Sequence, residues 1–294
     1  MPTLRQIQRR IRSVQSTAKT TRALSLVAGS KMRRAQQMAL AHRPYADALY
    51  SMLVDVLDDI SAVSDAGTDG EEGQNPLLAK REVKTAGLIL ITSDRGLAGG
   101  LNTNLFRAGG AFISENPNVK LITVGRKGSD FFRRTRQEII ATFMNLGDYP
   151  AYDDVRPISK LVADSYISGE VDSVSIVYPR FVNTVVQRPE VLRLLPAEPP
   201  PGREASKMVE YIYEPDAATV LADLLPRYVE IQVYRAVLEM AASYQSAQMV
   251  AMRNATDAAQ DLVSQLTLLR NKVRQEQITK ELLDITGGVE ALSK

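Results

Sequence analysis

Apolar and small positions recur along the opening segment in steps of three and four: Leu4, Ile7, Ile11, Val14, Ala18, Thr21, Ser25, Ala28, Met32 and Ala35. That spacing keeps one stripe on one helix face, in the seven-residue repeat of a helix pair. The stripe opens with large aliphatics and turns small in its middle, where a partner helix can come close but little area is buried. Gly29 sits inside it, at a cost of up to about 1 kcal/mol against alanine. Pro2 and Pro44 bound the segment. The far end repeats the pattern with Leu238, Ala241, Gln245, Gln248, Met252, Ala255, Ala259, Leu262, Leu266, Leu269 and Val273. Pro226 is the last proline, and no glycine follows it before Gly287. A strict heptad predicts a left-handed supercoil. As helices, residues 3–43 span about 60 Å and residues 227–286 about 90 Å. Paired antiparallel, the second outruns the first by about 30 Å. A lone helix in water is marginal, so that tip, near RNKVRQEQITKELLDITGG, is expected to lie inside something else.

Between the two helices the period changes. Candidate strands are Leu88–Thr92, Leu121–Val124, Glu138–Thr142 and Val171–Tyr178, with candidate helices at Asn102–Glu115, Lys127–Arg134 and Val155–Ser168. Alternation of this kind predicts a parallel sheet with right-handed crossovers. Asn183–Leu195 and Met208–Tyr213 flank the PAEPPPG loop and are expected to pair as a late hairpin. Residues 64–79, SDAGTDGEEGQNPLLA, read as a flexible linker. The expected fold class is therefore α/β plus a long antiparallel coiled coil, with a central Rossmann-like α/β domain inserted between N- and C-terminal helices. The expected domains are an N-terminal coiled-coil helix (1–60), a linker (61–85), the α/β domain (86–214) and a C-terminal coiled-coil helix (215–294).

Composition narrows the chemistry. The chain of 294 residues has no cysteine, so it has no disulfide, thiolate nucleophile or thiol metal site. The single histidine, His42, is all that a Ser-His-Asp triad could use; an exposed residue near a helix end is the plainer reading. No apolar run reaches membrane-spanning length, and the basic start lacks an apolar signal core. Charge is uneven although the net is only +2. Arg5, Arg9, Arg10, Arg12, Lys19, Arg22, Lys31, Arg33, Arg34 and Arg43 occupy the first 43 residues with no acid among them. Asp47 through Glu72 then run acidic, with no base. A basic helix suits nucleic acid, an anionic membrane surface or an acidic protein, and composition leaves the three open.

The stretch ITSDRGLAGGLN, residues 91–102, has the look of a phosphate loop. It fails the tests of one. A Walker loop needs a lysine and a hydroxyl after its last glycine, and a dinucleotide loop needs the G-x-G-x-x-G spacing; Gly96, Gly99 and Gly100 supply neither. GRKGSD, residues 125–130, also lacks both spacings. The glycines are expected to serve a tight strand-to-helix turn, with Asn102 or Thr103 capping the helix and Asp94 and Arg95 paired locally or facing a partner.

Three separated motifs, in order, resemble the gamma subunit of rotary ATP synthases. IQRRIRSVQSTAKTTRALSLVAGSKMRRAQ is similar to that family's opening helix, ITSDRGLAGGLN to its signature turn, and the stretch from AQMVAMRNATD to ITGGVEAL to its closing helix. The resemblance implies a non-catalytic central shaft. Its coiled coil would sit in the bore of a hexamer of alpha and beta subunits, its globular end beside the epsilon subunit on the membrane ring of c subunits. Proton-driven rotation would take the beta-subunit sites through successive affinities. Carried over by motif, Leu24, Arg253, Arg274, Gln275 and Thr279 would meet the catalytic head. Tyr211, Tyr213 and Glu214 would touch the c ring, and Asp94, Arg95, Gly96, Gly99 and Gly100 form the signature turn. The resemblance implies no cofactor, metal or nucleic acid, and membrane association only through the complex. With no presequence in view, the expected place is the cytoplasmic face of a bacterial plasma membrane. Ser25 and Gly29 stand where the family often has larger or helix-favouring residues, and Ala98 where many members have cysteine. The rival readings are a nucleic-acid or membrane-surface module built on the basic helix, and a nucleotide-dependent α/β enzyme.

Overall fold

The computed structural model describes residues 3–64, 75–79, 81–197 and 213–292. Two long helices bracket a five-stranded sheet. Helix α1 (Leu4–Ser64) precedes β1 (Ala86–Ile91), α2 (Leu101–Glu115), β2 (Val119–Val124), α3 (Arg126–Arg134) and β3 (Ile139–Phe143). Then come α4 (Tyr152–Ile167), β4 (Ser173–Phe181), β5 (Gln187–Leu195) and α5 (Ala217–Leu292). The chain divides into two compact units, Met1–Ala28 with Gln248–Lys294, and Gly29–Ala247.

In the larger unit the strand order is β3-β2-β1-β4-β5. The first four strands run parallel and β5 pairs antiparallel with β4. β1 is buried along its whole length, as a central strand covered on both faces must be. Leu88, Ile89, Leu90, Leu121, Ile176 and Leu194 are fully enclosed. The expected late hairpin is corrected: residues 187–195 pair with β4 instead, because the apolar Leu194 and Leu195 are buried there. Its other proposed strand, residues 208–213, lies outside the described residues except for Tyr213. The linker also ends earlier than expected. Leu77 is buried in the main core, while residues 65–74 lie outside the described residues.

Both prolines thought to bound the helices lie inside them. Pro44 is within α1 and Pro226 within α5. Each removes one helical hydrogen bond, at a cost of about 3 kcal/mol. Tertiary burial offsets that cost: Ala46, Leu49 and Leu53 follow Pro44 into the core, and Leu225 and Val229 flank Pro226. His42 accordingly sits mid-helix and half-buried, edge-on to Tyr234 with ring centroids 5.1 Å apart.

In the smaller unit the two helices pair antiparallel. Ser25 Oγ donates to the Met249 carbonyl (3.1 Å), and Thr21 and Thr256 share a hydroxyl bond of 2.7 Å. The partner number rises as the first falls. Ile7, Ile11, Leu266 and Val273 form a separate apolar cluster, with Leu4 and Val14 against it. The small-residue stretch is thus held by buried hydroxyls where apolar area is scarce. Leu269 leaves the predicted stripe and is exposed, because a straight helix drifts about 20° per heptad from a strict repeat.

Candidate functional site

The signature turn stands at the carboxyl ends of the parallel strands, where an α/β sheet ordinarily takes its ligand. Several polar groups there are engaged within the chain. Thr92 N–H donates to the Val124 carbonyl at 2.8 Å. Its hydroxyl donates to the same oxygen at 3.1 Å and accepts the Gly128 N–H at 2.9 Å. This close approach explains two glycines: a Cβ on Gly125 would lie 2.0 Å from the Thr92 carbonyl oxygen, and one on Gly128 2.8 Å from Oγ1. Gly125 also needs its φ of 95°.

Asp94 is the tie between loops. Its Oδ1 accepts the N–H of Arg126, the first residue of α3, and its Oδ2 accepts the N–H of Asn145 beyond β3, both at 2.9 Å. Helix α3 has no side-chain cap of its own. Asp94 therefore supplies the anion that a helix N-terminus attracts. A phosphate at this edge would meet a fixed carboxylate. Ser93 Oγ donates to the Arg95 carbonyl (2.6 Å) and accepts from Asn102 Nδ2 (2.8 Å). That corrects the capping expectation: Asn102 turns back to the strand end, and the α2 N-cap is Gly100 with no side-chain cap bond. Thr103 does not cap it either. Gly99 takes φ 57°, and Leu97 takes φ 64° beside it. Arg95 is exposed, its Nη1 3.8 Å from Asp148 Oδ1.

Helix α5 covers this edge. Tyr244 OH donates to the Gly96 carbonyl (3.2 Å), Ser243 Oγ to Pro179 (3.1 Å) and Ser246 Oγ to Thr184 (2.6 Å). Between α5 and the loops remains a cavity of ≈ 190 Å³ lined by Asp94, Asn145, Asp148, Met240 and Tyr244 among others. Burial raises the Tyr244 hydroxyl above the ordinary tyrosine value, so it stays a neutral donor.

Two acids that the sequence did not single out organise the helices. Asp148 accepts Lys31 Nζ of α1 (2.7 Å) and Gln245 Nε2 of α5 (3.0 Å). Glu239, buried in α5, holds Arg43 at 2.7 Å and accepts the Phe181 N–H at 2.8 Å. Arg43 in turn donates to the Phe181 carbonyl (3.0 Å). A carboxylate inside the apolar run AVLEMAA was the available signal for Glu239; the loop residue Asp148 had none. Lys31, Arg43 and Arg34, which lies 4.4 Å over the Tyr149 ring, are therefore engaged inside the chain. Arg5, Arg9, Arg10, Arg12, Lys19 and Arg22 are exposed and have no acidic partner among the described residues.

The residues expected to meet the catalytic head are on helix surfaces. Leu24 is half-buried; Arg253, Arg274, Gln275 and Thr279 are exposed. Thr279 Oγ1 donates to the Gln275 carbonyl of its own helix (2.9 Å). Past Val273, residues 274–286 are exposed on every face. They include Ile278, Leu282, Leu283 and Ile285, and the helix continues to Leu292, about 30 Å beyond Val273. Of the expected foot, Tyr211 lies outside the described residues, Tyr213 is half-buried against the main core, and Glu214 is exposed.

A family model described as ATP synthase matches residues 3–292. The chain is 50% identical over 297 residues to the ATP synthase gamma chain of Dehalococcoides mccartyi (strain CBDB1), which covers 100% of both chains. It is 47% identical over 298 residues to that of Roseiflexus castenholzii (strain DSM 13941 / HLO8), again over 100% of both. Among solved structures it is similar to a chain of the Tetrahymena thermophila mitochondrial ATP synthase central stalk and c ring. There the TM-score is 0.60 at 21% identity, over 80% of this chain and 99% of that one. A chain of the Euglena gracilis mitochondrial ATP synthase gives a TM-score of 0.57 at 21% identity, over 90% and 95%. At that identity the likeness is one of fold.

Proposed function

This chain belongs to the ATP synthase gamma chain family, and from that premise we propose that it is the central rotor shaft of a proton-translocating ATP synthase. As a gamma chain it is not the catalytic subunit of that machine. The proposed mechanism is mechanical. A c ring in the membrane turns the globular end, the paired helices carry the torque, and the far end of α5 forces the beta-subunit sites through their states in turn. Alpha, beta and epsilon subunits and the c ring are the proposed partners, with no cofactor. The proposed place is peripheral, at the cytoplasmic face of a bacterial membrane; no helix among the described residues is long and apolar enough to cross one.

One observation carries this reading: α5 continues past Val273 with every described side chain exposed, four large aliphatics included. A lone helix with that surface is unstable in water unless another protein encloses it. A sleeve is therefore implied, and a sleeve that must let the helix turn suits mixed charge and apolar residues. We assign Leu24, Arg253, Arg274, Gln275 and Thr279 to head contacts and Tyr211, Tyr213 and Glu214 to the foot. The exposed cations of α1 that lack an acidic partner among the described residues supply a long-range, salt-sensitive pull toward acidic loops of the beta subunits. The enzyme rival is disfavoured by Asp94, which occupies the N-terminus of α3 where a phosphate would bind. The nucleic-acid and membrane-surface rivals lose Lys31 and Arg43, which are engaged by Asp148 and Glu239.

Reconstitution tests the proposal. Alpha and beta subunits are mixed with and without this chain, and ATP hydrolysis and co-elution are measured. The expected result is one copy of this chain per complex and hydrolysis that depends on it. Equal hydrolysis without the chain would overturn the proposal.

A further inference from the structure

We propose that the groove beside the β4–β5 hairpin docks an acidic segment of a neighbouring subunit. It rests on the family reading in one respect, that the chain works among other subunits. The groove encloses ≈ 440 Å³ and is lined by Arg43, Arg180, Val182, Arg188, Pro189 and Glu190 among others. Arg180 and Arg188 stand directly opposite each other in the ladder. Like charges in that position repel and destabilise the pair. One acid in the groove answers them: Glu190 lies 3.3 Å from Arg180 Nη1, and it also accepts the Tyr178 hydroxyl at 2.9 Å. The charge of Arg43 is answered by Glu239. Arg188 has no acidic partner among the described residues. One guanidinium is left uncompensated on an exposed strand.

The surroundings select the ligand. Free phosphate is usually held by converging backbone N–H groups at a helix start or a glycine nest. The groove offers neither, since a strand hairpin and the interior of α1 line it and no glycine is among its lining residues. Glu190 would also repel a dianion. A single carboxylate can bridge the guanidinium forks of Arg180 and Arg188 in bidentate fashion. Exposed Val182, in the groove lining, and exposed Val185, in the turn that follows, accompany the charge, a mixed surface that fits a protein segment carrying carboxylates among apolar residues.

The test uses the complex reconstituted with alpha, beta and epsilon subunits. A photo-crosslinking residue replaces Val185, beside the groove. The expected crosslink reaches another subunit at an acid-rich segment, weakens as salt rises, and falls by about five-fold in Arg188→Gln, as for loss of one charged contact. Arg188→Gln in the isolated chain should melt no lower than the parent, since it relieves repulsion. A crosslink to a segment without acids, none in a complex whose assembly is verified by co-elution, or one indifferent to Arg188→Gln would overturn the proposal. So would protection of Arg188 from phenylglyoxal by inorganic phosphate in the isolated chain, which marks a small-anion site instead. Because assembly is read separately, a missing crosslink counts against the groove and not against the family reading.

Discussion

Asp94 shows how a residue can resemble chemistry and serve architecture. It follows a buried strand, precedes three glycines and faces a helix start, as phosphate-loop residues do, yet its two oxygens take the backbone N–H groups of Arg126 and Asn145. Asp94→Ala orphans both donors and is expected to lower stability by about 2 kcal/mol, read as a shifted denaturant midpoint of the isolated chain. Glu239 is the more costly residue to change. Glu239→Ala leaves Arg43 and the Phe181 N–H without their partner and is expected to cost about 3–5 kcal/mol, measured in the same way. The sequence made the loop visible but not its bonding. Missing motif residues excluded known nucleotide loops, whereas the cross-loop ties of Asp94 depend on β2 lying next to β1 and β3 next to β2, which no local pattern encodes. Asp148 was illegible for the same reason, since the partners it hydrogen-bonds, Lys31 and Gln245, are over ninety residues away in both directions.

At the scale of elements, periodicity carried most of the information. The stripe from Leu4 to Ala35 is buried or half-buried at every position described, and the strand alternation found four of five strands. Local breakers misled where tertiary packing overrode them, as at Pro44 and Pro226. Pro44→Ala is accordingly expected to stabilise the chain by about 1–2 kcal/mol, the regained helix preference less the greater freedom of the unfolded chain. Calorimetry of the isolated chain checks the sign. The α4–α5 contact adds a pH dependence. The Tyr152 hydroxyl is pushed up to about 12, first by burial and then by its hydrogen bond to Glu230. A raised folded-state value favours the neutral form. The stabilising effect is intact below about pH 10, the ordinary tyrosine value, and is lost as pH rises toward 12. Tyr152→Phe should flatten the alkaline loss of stability between those limits, followed by unfolding at stepped pH.

At the scale of the whole molecule, the proposed shaft function rests on the part of α5 whose described side chains, residues 274–286, are all exposed. Among the described side chains, those after Gln275 are all exposed, so on their removal the sheet unit should keep its melting temperature while hydrolysis in the reconstituted complex loses its coupling to rotation. A collapse of the sheet unit would contradict that division of labour. The sequence revealed this feature through length alone: one apolar stripe runs further than the other, and the excess demands an enclosure. The enclosing partners came from resemblance, because exposed side chains state the need for a neighbour without naming it. The most direct test of the shaft is single-molecule observation. Alpha and beta subunits are fixed to a surface, a bead is attached to the sheet unit of this chain, and ATP is added. The account predicts continued rotation in one direction, pausing three times per turn. A bead that stays still while the same complexes hydrolyse ATP would contradict it.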